Sequence, residues 1–240
     1  VLIPVWTATP LGNVHALTAG SPDRGDVVIL PGLGVSVYLR DSVSALAGSG
    51  FRAWLPDPPG FGDSEDPPRH LGITQLAAVA VDWLRRRELS DVTVIGHSCG
   101  TQVAAHVAAT VPEVVGRLVL GSPTVDPRYR TWPKAVLRWM RDGKREPRSL
   151  TRTQRPEWRR AGPARLLHLT NSMLADAVET TLRRVACPTT AIRGERDPIC
   201  TPEWVRHLTP DVVELPGLAH AFPYQAPSAF ADVLTAAERS

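Results

Sequence analysis

One nonapeptide, V-T-V-I-G-H-S-C-G at residues 92–100, restricts the fold of this chain more than any other stretch. Four β-favouring residues run into Gly96-His97-Ser98-Cys99-Gly100, and an Ala-rich helical pattern follows as far as Thr110. A strand that becomes a helix through so short a turn must bend sharply. Glycines two residues either side of Ser98 remove the Cβ atoms that would collide in such a bend. By composition, chance supplies a G-x-S-x-G about 0.07 times in a chain like this, and the strand-turn-helix setting makes the match more specific. The alternative role for a serine at such a junction is a helix N-cap. As a nucleophile, Ser98 needs more: a hydroxyl is barely nucleophilic at neutral pH, so a base, an orienting acid and donors for an oxyanion must come from elsewhere in the chain.

The rest of the sequence keeps the rhythm that this turn implies. Short apolar runs at 14–19, 26–30, 51–55, 92–95 and 114–120 read as strands. Helical spacing over 37–47, 75–87 and 99–110 alternates with them, with Thr74 as the N-cap expected for the second helix. Strands resume at 189–192 and 212–215, and a last helix is expected over 228–237. Continuous apolar strands alternating with amphipathic helices predict an α/β fold, a mostly parallel sheet covered on both faces. The rhythm breaks between Asp126 and Arg184, where no strand pattern appears and thirteen arginines are interleaved with Trp132, Trp139 and Trp158. Helical character over 134–141 and 164–182 makes this a helical insertion. The expected division is a core of residues 1–122 and 186–240, with 123–185 as a cap.

Loops rich in Gly and Pro follow several strands. They include Pro31-Gly32-Leu33-Gly34, the D-x-x-G-x-G-x-S stretch from Asp57 to Ser64, Gly194-x-x-Asp197 with a later Pro202, and Gly217-x-x-His220 with Pro227 beyond it. With the Ser98 turn these are five ordered motifs spanning residues 26–227, and together they closely resemble the α/β-hydrolase fold superfamily. The resemblance covers both core portions and leaves the insertion unmatched, as a variable cap would be. It implies Ser98 as the nucleophile, His220 as the general base and then acid, and Asp197 as the residue that orients the imidazole. The implied oxyanion hole is the backbone N–H of Leu33 and of Cys99. Asp126, just past the strand ending at Leu120, is the alternative acid, since some relatives carry the third member there. Many relatives have histidine where this chain has Pro31. His97 borders the nucleophile and is expected to point away from it, Asp57 to brace its own loop, and the Cys99 thiol to pack.

Composition narrows the partners. The formal net charge is +3, and Cys99, Cys187 and Cys200 form no C-x-x-C pair, which suits reduced thiols better than a disulfide frame or a zinc site. No apolar run approaches a membrane span and no signal-peptide pattern opens the sequence, so a cytoplasmic protein without a membrane partner is expected. The arginine-rich insertion reads as a solvated helical face or a site for an acidic substrate. It has no groove-reading or strand-stacking pattern, so no nucleic-acid partner is expected. Trp132, Trp139 and Trp158 are candidates for the apolar underside of a lid over a substrate pocket.

The expected function is therefore that of a serine hydrolase. It would act on a carboxylic ester or thioester of a bulky, apolar or aromatic small molecule, with no metal or organic cofactor. The same fold and triad also host C–C bond cleavage and non-hydrolytic coupling or cyclisation, and a non-enzymatic ligand-binding role is a third reading. The sequence does not speak to oligomeric state.

Overall fold

The computed structural model describes residues 1–237. Eight strands form one sheet: β1 (Ile3–Thr9), β2 (Gly12–Ala19), β3 (Asp26–Leu30), β4 (Arg52–Pro56), β5 (Val92–His97), β6 (Val115–Gly121), β7 (Thr189–Gly194) and β8 (Val212–Leu215), in the order β1-β2-β4-β3-β5-β6-β7-β8. Strands β1, β2 and β4 pair antiparallel, and every pairing from β4 through β8 is parallel. The strand order reverses at β3, which lies between β4 and β5. The loops leaving the carboxyl ends of β3 and β5 therefore emerge side by side, with Leu30 in register with Gly96.

The apolar run of β3 shows why the central strands lack alternation. Val28 and Leu30 pack into the core on one face, while Val27 and Ile29 pack into the core on the other. Both faces are covered, so the period of two is hidden within an unbroken apolar stretch. Helices α2 (Ile73–Arg86) and α3 (Gly100–Thr110) bury Trp83, Leu84, Ala104 and Val107 on the first face. Helices α1 (Arg40–Gly48) and α10 (Ala229–Ala237) bury Val43, Leu46 and Phe230 on the second.

Four helices lie between β6 and β7: α4 (Trp132–Gly143), α5 (Arg148–Ala161), α6 (Pro163–Ala175) and α7 (Val178–Leu182). Helix α8 (Pro202–Leu208) follows β7, and the short α9 (Phe222–Gln225) lies between β8 and α10.

Several elements depart from the sequence expectation. Strand β1 was not foreseen. It carries Pro4 and leaves Ile3 and Trp6 more than half exposed, which an edge strand tolerates and an interior one would not. Helix α5 holds Pro156 inside it and has no apolar stripe strong enough to announce it. The N-terminus of α2 is a correction: Thr74 lies within the helix, and the cap is Gly72, whose N–H donates to Gln75 Oε1 at 2.9 Å. The Ile73 N–H donates to Ser172 Oγ at 2.8 Å. A side chain from α6, 99 residues away in sequence, thus does work expected of a local cap.

Candidate active site

The turn after β5 places Ser98 at φ 55°, a left-handed backbone that a non-glycine residue adopts at a cost of about 1–3 kcal/mol. Its neighbours hold it there. Ser98 N–H donates to the Gly121 carbonyl at 2.8 Å, and Thr101 Oγ1 donates to the Ser98 carbonyl at 2.6 Å. A Cβ on Gly96 would stand 2.4 Å from the Gly100 carbonyl oxygen, and one on Gly100 would stand 2.2 Å from that of Leu30. A Cβ on Gly32 would come within 2.7 Å of Ser98 Cβ, so glycine also lets the loop after β3 lie against the serine.

Two further loops converge on Ser98. Asp197 lies three residues past the end of β7, and His220 five residues past β8. His220 Nε2 is 2.9 Å from Ser98 Oγ, and its Nδ1 is 2.8 Å from Asp197 Oδ2. The other Asp197 oxygen accepts the N–H groups of Ile199 (2.7 Å) and Cys200 (3.0 Å), which orients the carboxylate towards the ring. Burial raises the Asp197 pKa, but the His220 charge and hydrogen bond and the two N–H donors outweigh it and leave the group ionised. Asp126 does not reach His220. Its carboxylate is taken by Arg128, at 2.6 Å to Nη2, and by Thr201 Oγ1 at 3.2 Å.

Leu33 and Cys99, the residues expected to supply the oxyanion hole, lie together beside Ser98. Leu33 N–H, at φ 45°, donates to Cys99 Sγ at 3.0 Å. The thiol therefore does more than pack: it occupies this donor in the absence of a ligand. Burial holds the thiol protonated, with its pKa pushed up to about 11. A neutral sulfur is a weak acceptor that an oxyanion would displace.

Three side chains that the sequence did not single out, Tyr38, Asp142 and Glu146, complete the surroundings together with His97. The His97 ring is hydrogen-bonded to Tyr38 and to the His220 backbone, not to Ser98. Its Nε2 must donate to the His220 carbonyl (3.0 Å), which leaves Nδ1 to accept from the Tyr38 hydroxyl (2.6 Å). Tyr38 in turn accepts the Gly32 N–H at 3.1 Å. Burial first, and then the charge of His220, depress the His97 pKa to about 3, so this ring is neutral. The chain Gly32–Tyr38–His97–His220 ties the glycine loop to the histidine loop behind the serine.

Asp142 and Glu146, at the end of α4 and just beyond it, hold the histidine loop from the other side. Asp142 Oδ1 accepts the His220 N–H at 3.3 Å, and Glu146 Oε1 accepts the Ala221 N–H at 2.7 Å. The sequence carried one signal for this pair: they are the only carboxylates among ten cationic side chains between residues 127 and 156. Burial pushes the Asp142 pKa up to about 7, and that of Glu146 up as well. Burial lowers the pKa of His220, but Asp197, then Asp142 and Glu146, more than offset this and raise it to about 9.

Ser98 opens into a cavity of about 710 Å³, large enough for a drug-sized molecule. Trp132, Trp139 and Trp158 line it, together with Leu150, Leu166 and Leu167. Asp57 stands apart from it, accepting from Asp63 N–H at 2.9 Å, from His15 Nδ1 at 2.8 Å and from the Ser36 hydroxyl, a brace for its own loop. Among the described residues, no helix is long and apolar enough to cross a membrane.

Comparison with known proteins agrees with this architecture. A haloalkane dehalogenase of Mycolicibacterium paratuberculosis is 32% identical over 130 residues, 53% of this chain and 43% of that protein. A second, from Mycobacterium marinum, is 29% identical over 136 residues and is likewise matched over less than half its length (46%). Among solved structures, an E-2-(acetamidomethylene)succinate hydrolase superposes with a TM-score of 0.80 at 16% identity, with both chains fully covered. A 2-hydroxy-6-oxo-6-phenylhexa-2,4-dienoate hydrolase from Rhodococcus sp. strain RHA1 gives 0.77 at 19% identity, covering 100% of this chain and 99% of the other. The profile of the alpha/beta hydrolase family matches residues 27–233, so that the serine turn, the two loops that meet it and strands β4 to β8 fall within the match, and the chain belongs to that family.

Proposed function

We propose that this protein is a serine hydrolase that cleaves a carboxylic ester or thioester of a bulky, apolar or aromatic small molecule through an acyl-enzyme on Ser98. The observation that carries this reading is the unbroken chain Asp197–His220–Ser98, at 2.8 and 2.9 Å, opening into an apolar cavity. Residues 123–185 act in this reading as the cap over a core of 1–122 and 186–240. Their tryptophans and leucines favour apolar acyl or leaving groups.

In the acylation step His220 Nε2 takes the Ser98 proton as Oγ attacks the carbonyl carbon. The carbonyl oxygen becomes an oxyanion that draws the Leu33 N–H from Cys99 Sγ and takes the Cys99 N–H as its second donor. His220 then hands its proton to the leaving oxygen or sulfur. Water, deprotonated by the same nitrogen, attacks the acyl-Ser98 carbonyl and releases the acid. Asp197 keeps Nδ1 protonated throughout, so that Nε2 is the nitrogen that turns over the proton.

Dehalogenation, the activity named for the two mycobacterial relatives, does not suit this nucleophile. Displacement of halide by Ser98 would leave an alkyl ether. An ether has no carbonyl for water to attack and no oxyanion for the hole to bind, so the enzyme would stall after one event.

The test is labelling by a fluorophosphonate bearing an uncharged arm. Wild-type protein should form a phosphonyl adduct at Ser98, found by mass spectrometry of the tryptic peptide, and Ser98→Ala should form none. A folded wild-type protein that takes no label between about pH 7 and 10, the range over which His220 loses its proton, refutes the assignment.

A further inference from the structure

The charges of residues 123–185 are divided between outside and inside in a way that bears on what enters the cavity. The segment has fifteen lysines and arginines against six carboxylates, yet none of the fifteen lines the cavity. Several of the arginines are spent on the core: Arg138 on the Pro198 carbonyl, Arg145 on that of Arg196, and Arg165 on the Gly60 carbonyl and Asp66. The charged side chains of the segment that do line the cavity are Asp142 and Glu146.

Among the described residues no arginine or lysine pairs with either of these carboxylates, and the cationic group that acts on both is the protonated His220 ring, which Asp197 already pairs. Glu146 receives only neutral donors, Ala221 N–H and Gln225 Nε2. Asp142 is 8% exposed, takes one long hydrogen bond at Oδ1, and has no partner at Oδ2 among the described residues. Three carboxylates thus share one imidazolium, and the cost of keeping Asp142 and Glu146 ionised falls when a ligand brings a second cation to them. The walls beside the pair are Trp132, Trp139 and Trp158 with Tyr38, and aromatic faces also attract organic cations. A carboxylate-bearing or phosphorylated substrate would meet two like charges and no arginine. The acidic-substrate reading of the insertion, natural from its composition, therefore fails inside the cavity.

We propose that the substrate carries an ammonium group, a protonated or quaternary amine, on the portion buried in this cavity. The group is seated beside the three tryptophans and the carboxylates of Asp142 and Glu146, and anionic substrates are rejected. The inference rests on the reading of Ser98 as an acyl-accepting nucleophile and deepens it by naming the charge of the substrate.

Three p-nitrophenyl phosphonates with arms of equal size, ending in tert-butyl, trimethylammonium or sulfonate, test both readings at once. Each would react by attack of Ser98 Oγ on phosphorus, with p-nitrophenolate leaving and the serine proton passing to His220. At about pH 8.5, above the Asp142 pKa of about 7, the trimethylammonium compound should inactivate at least about tenfold faster than the tert-butyl one, and the sulfonate at least about tenfold slower. The double variant Asp142→Asn, Glu146→Gln should bring the cation-to-neutral ratio below about threefold. Equal rates for all three arms, or a faster sulfonate, overturn the proposal on the wild type alone, whether or not the double variant folds. A ratio that the double variant leaves unchanged overturns the assignment to Asp142 and Glu146 and restricts them to holding the His220 loop. No adduct from any arm refutes the Ser98 reading itself, and this inference falls with it.

Discussion

Replacing Asp142 by asparagine should make the enzyme faster at neutral pH, which sets it apart from most substitutions beside an active site. His220 acts as a base only when neutral, and its pKa stands at about 9 because Asp197, Asp142 and Glu146 together outweigh its burial. At about pH 7.5 a group of that pKa is neutral in roughly 3% of molecules. An asparagine keeps the oxygen that accepts the His220 N–H at 3.3 Å and removes the charge. A carboxylate within 4–6 Å of an ionisable group shifts it by about 1–3 pKa units, and the low end applies here because Asp142 meets the backbone of His220 and not its ring.

A fall of about one unit raises the neutral fraction near pH 7.5 to roughly 25%. The sign follows from the protonation states: between the Asp142 pKa of about 7 and the His220 pKa of about 9, removing the Asp142 charge enlarges the active form of the base, while well below that window Asp142 is already uncharged and well above it His220 is already neutral. The expected result is a gain of about eightfold in kcat/KM for a neutral ester near pH 7.5, vanishing by about pH 10, with the rising limb of the pH profile moved down by about one unit. A limb that stays in place or moves up refutes the electrostatic argument. An equal loss at every pH shows instead that Asp142 serves geometry alone.

Two further substitutions probe the acid and the turn. Asp197→Asn should reduce kcat for a p-nitrophenyl ester by about 10⁴ by permitting the wrong imidazole tautomer. Asp126→Asn, which loosens only Arg128 and Thr201, should leave kcat within about threefold and cost at most about 1–2 kcal/mol in a urea melt. The reverse ranking would move the acid to Asp126. Gly100→Ala forces a Cβ to within 2.2 Å of the Leu30 oxygen and 2.8 Å of the Pro31 oxygen, both backbone atoms, and should cost about 3 kcal/mol or more. Gly48→Ala, whose Cβ meets nothing within 4 Å, should be neutral or stabilising in the same melt, and an equal cost for the two would show that crowding at the elbow is not the cause.

Much of this architecture is legible from residues 92–100 outward, because its causes are local. An apolar strand, a turn whose flanking positions admit only glycine, and an Ala-rich helix are properties of neighbouring residues, and they make the serine conspicuous without reference to the rest of the chain. Asp197 and His220 were readable for a related reason: in a parallel sheet each strand end delivers its following loop to the same edge, so place in the sequence stands in for place in space. Between Asp197 and Asp126 the strand ends alone do not choose, since both residues follow one, and only the Gly-x-x-Asp pattern favours Asp197. The 2.8 Å contact with His220 and the competing grip of Arg128 are distances between segments far apart in the chain.

The same limit explains the remaining gaps. At the N-terminus of α2 the Ile73 N–H is taken by Ser172 Oγ from 99 residues away, and no local pattern records that acceptor. Tyr38 and His97 look like ordinary core residues until the fold sets them 2.6 Å apart. Composition described the insertion as cationic, but which side chains face the cavity depends on how four helices pack, and packing turned the arginines away from it and left Asp142 and Glu146 beside His220. The strand-turn-helix by itself determined that this chain presents a serine at the edge of a parallel sheet. Only the tertiary structure decided which acid lies against His220 and which charged side chains line the cavity, because those depend on which distant side chains share a few ångströms of space.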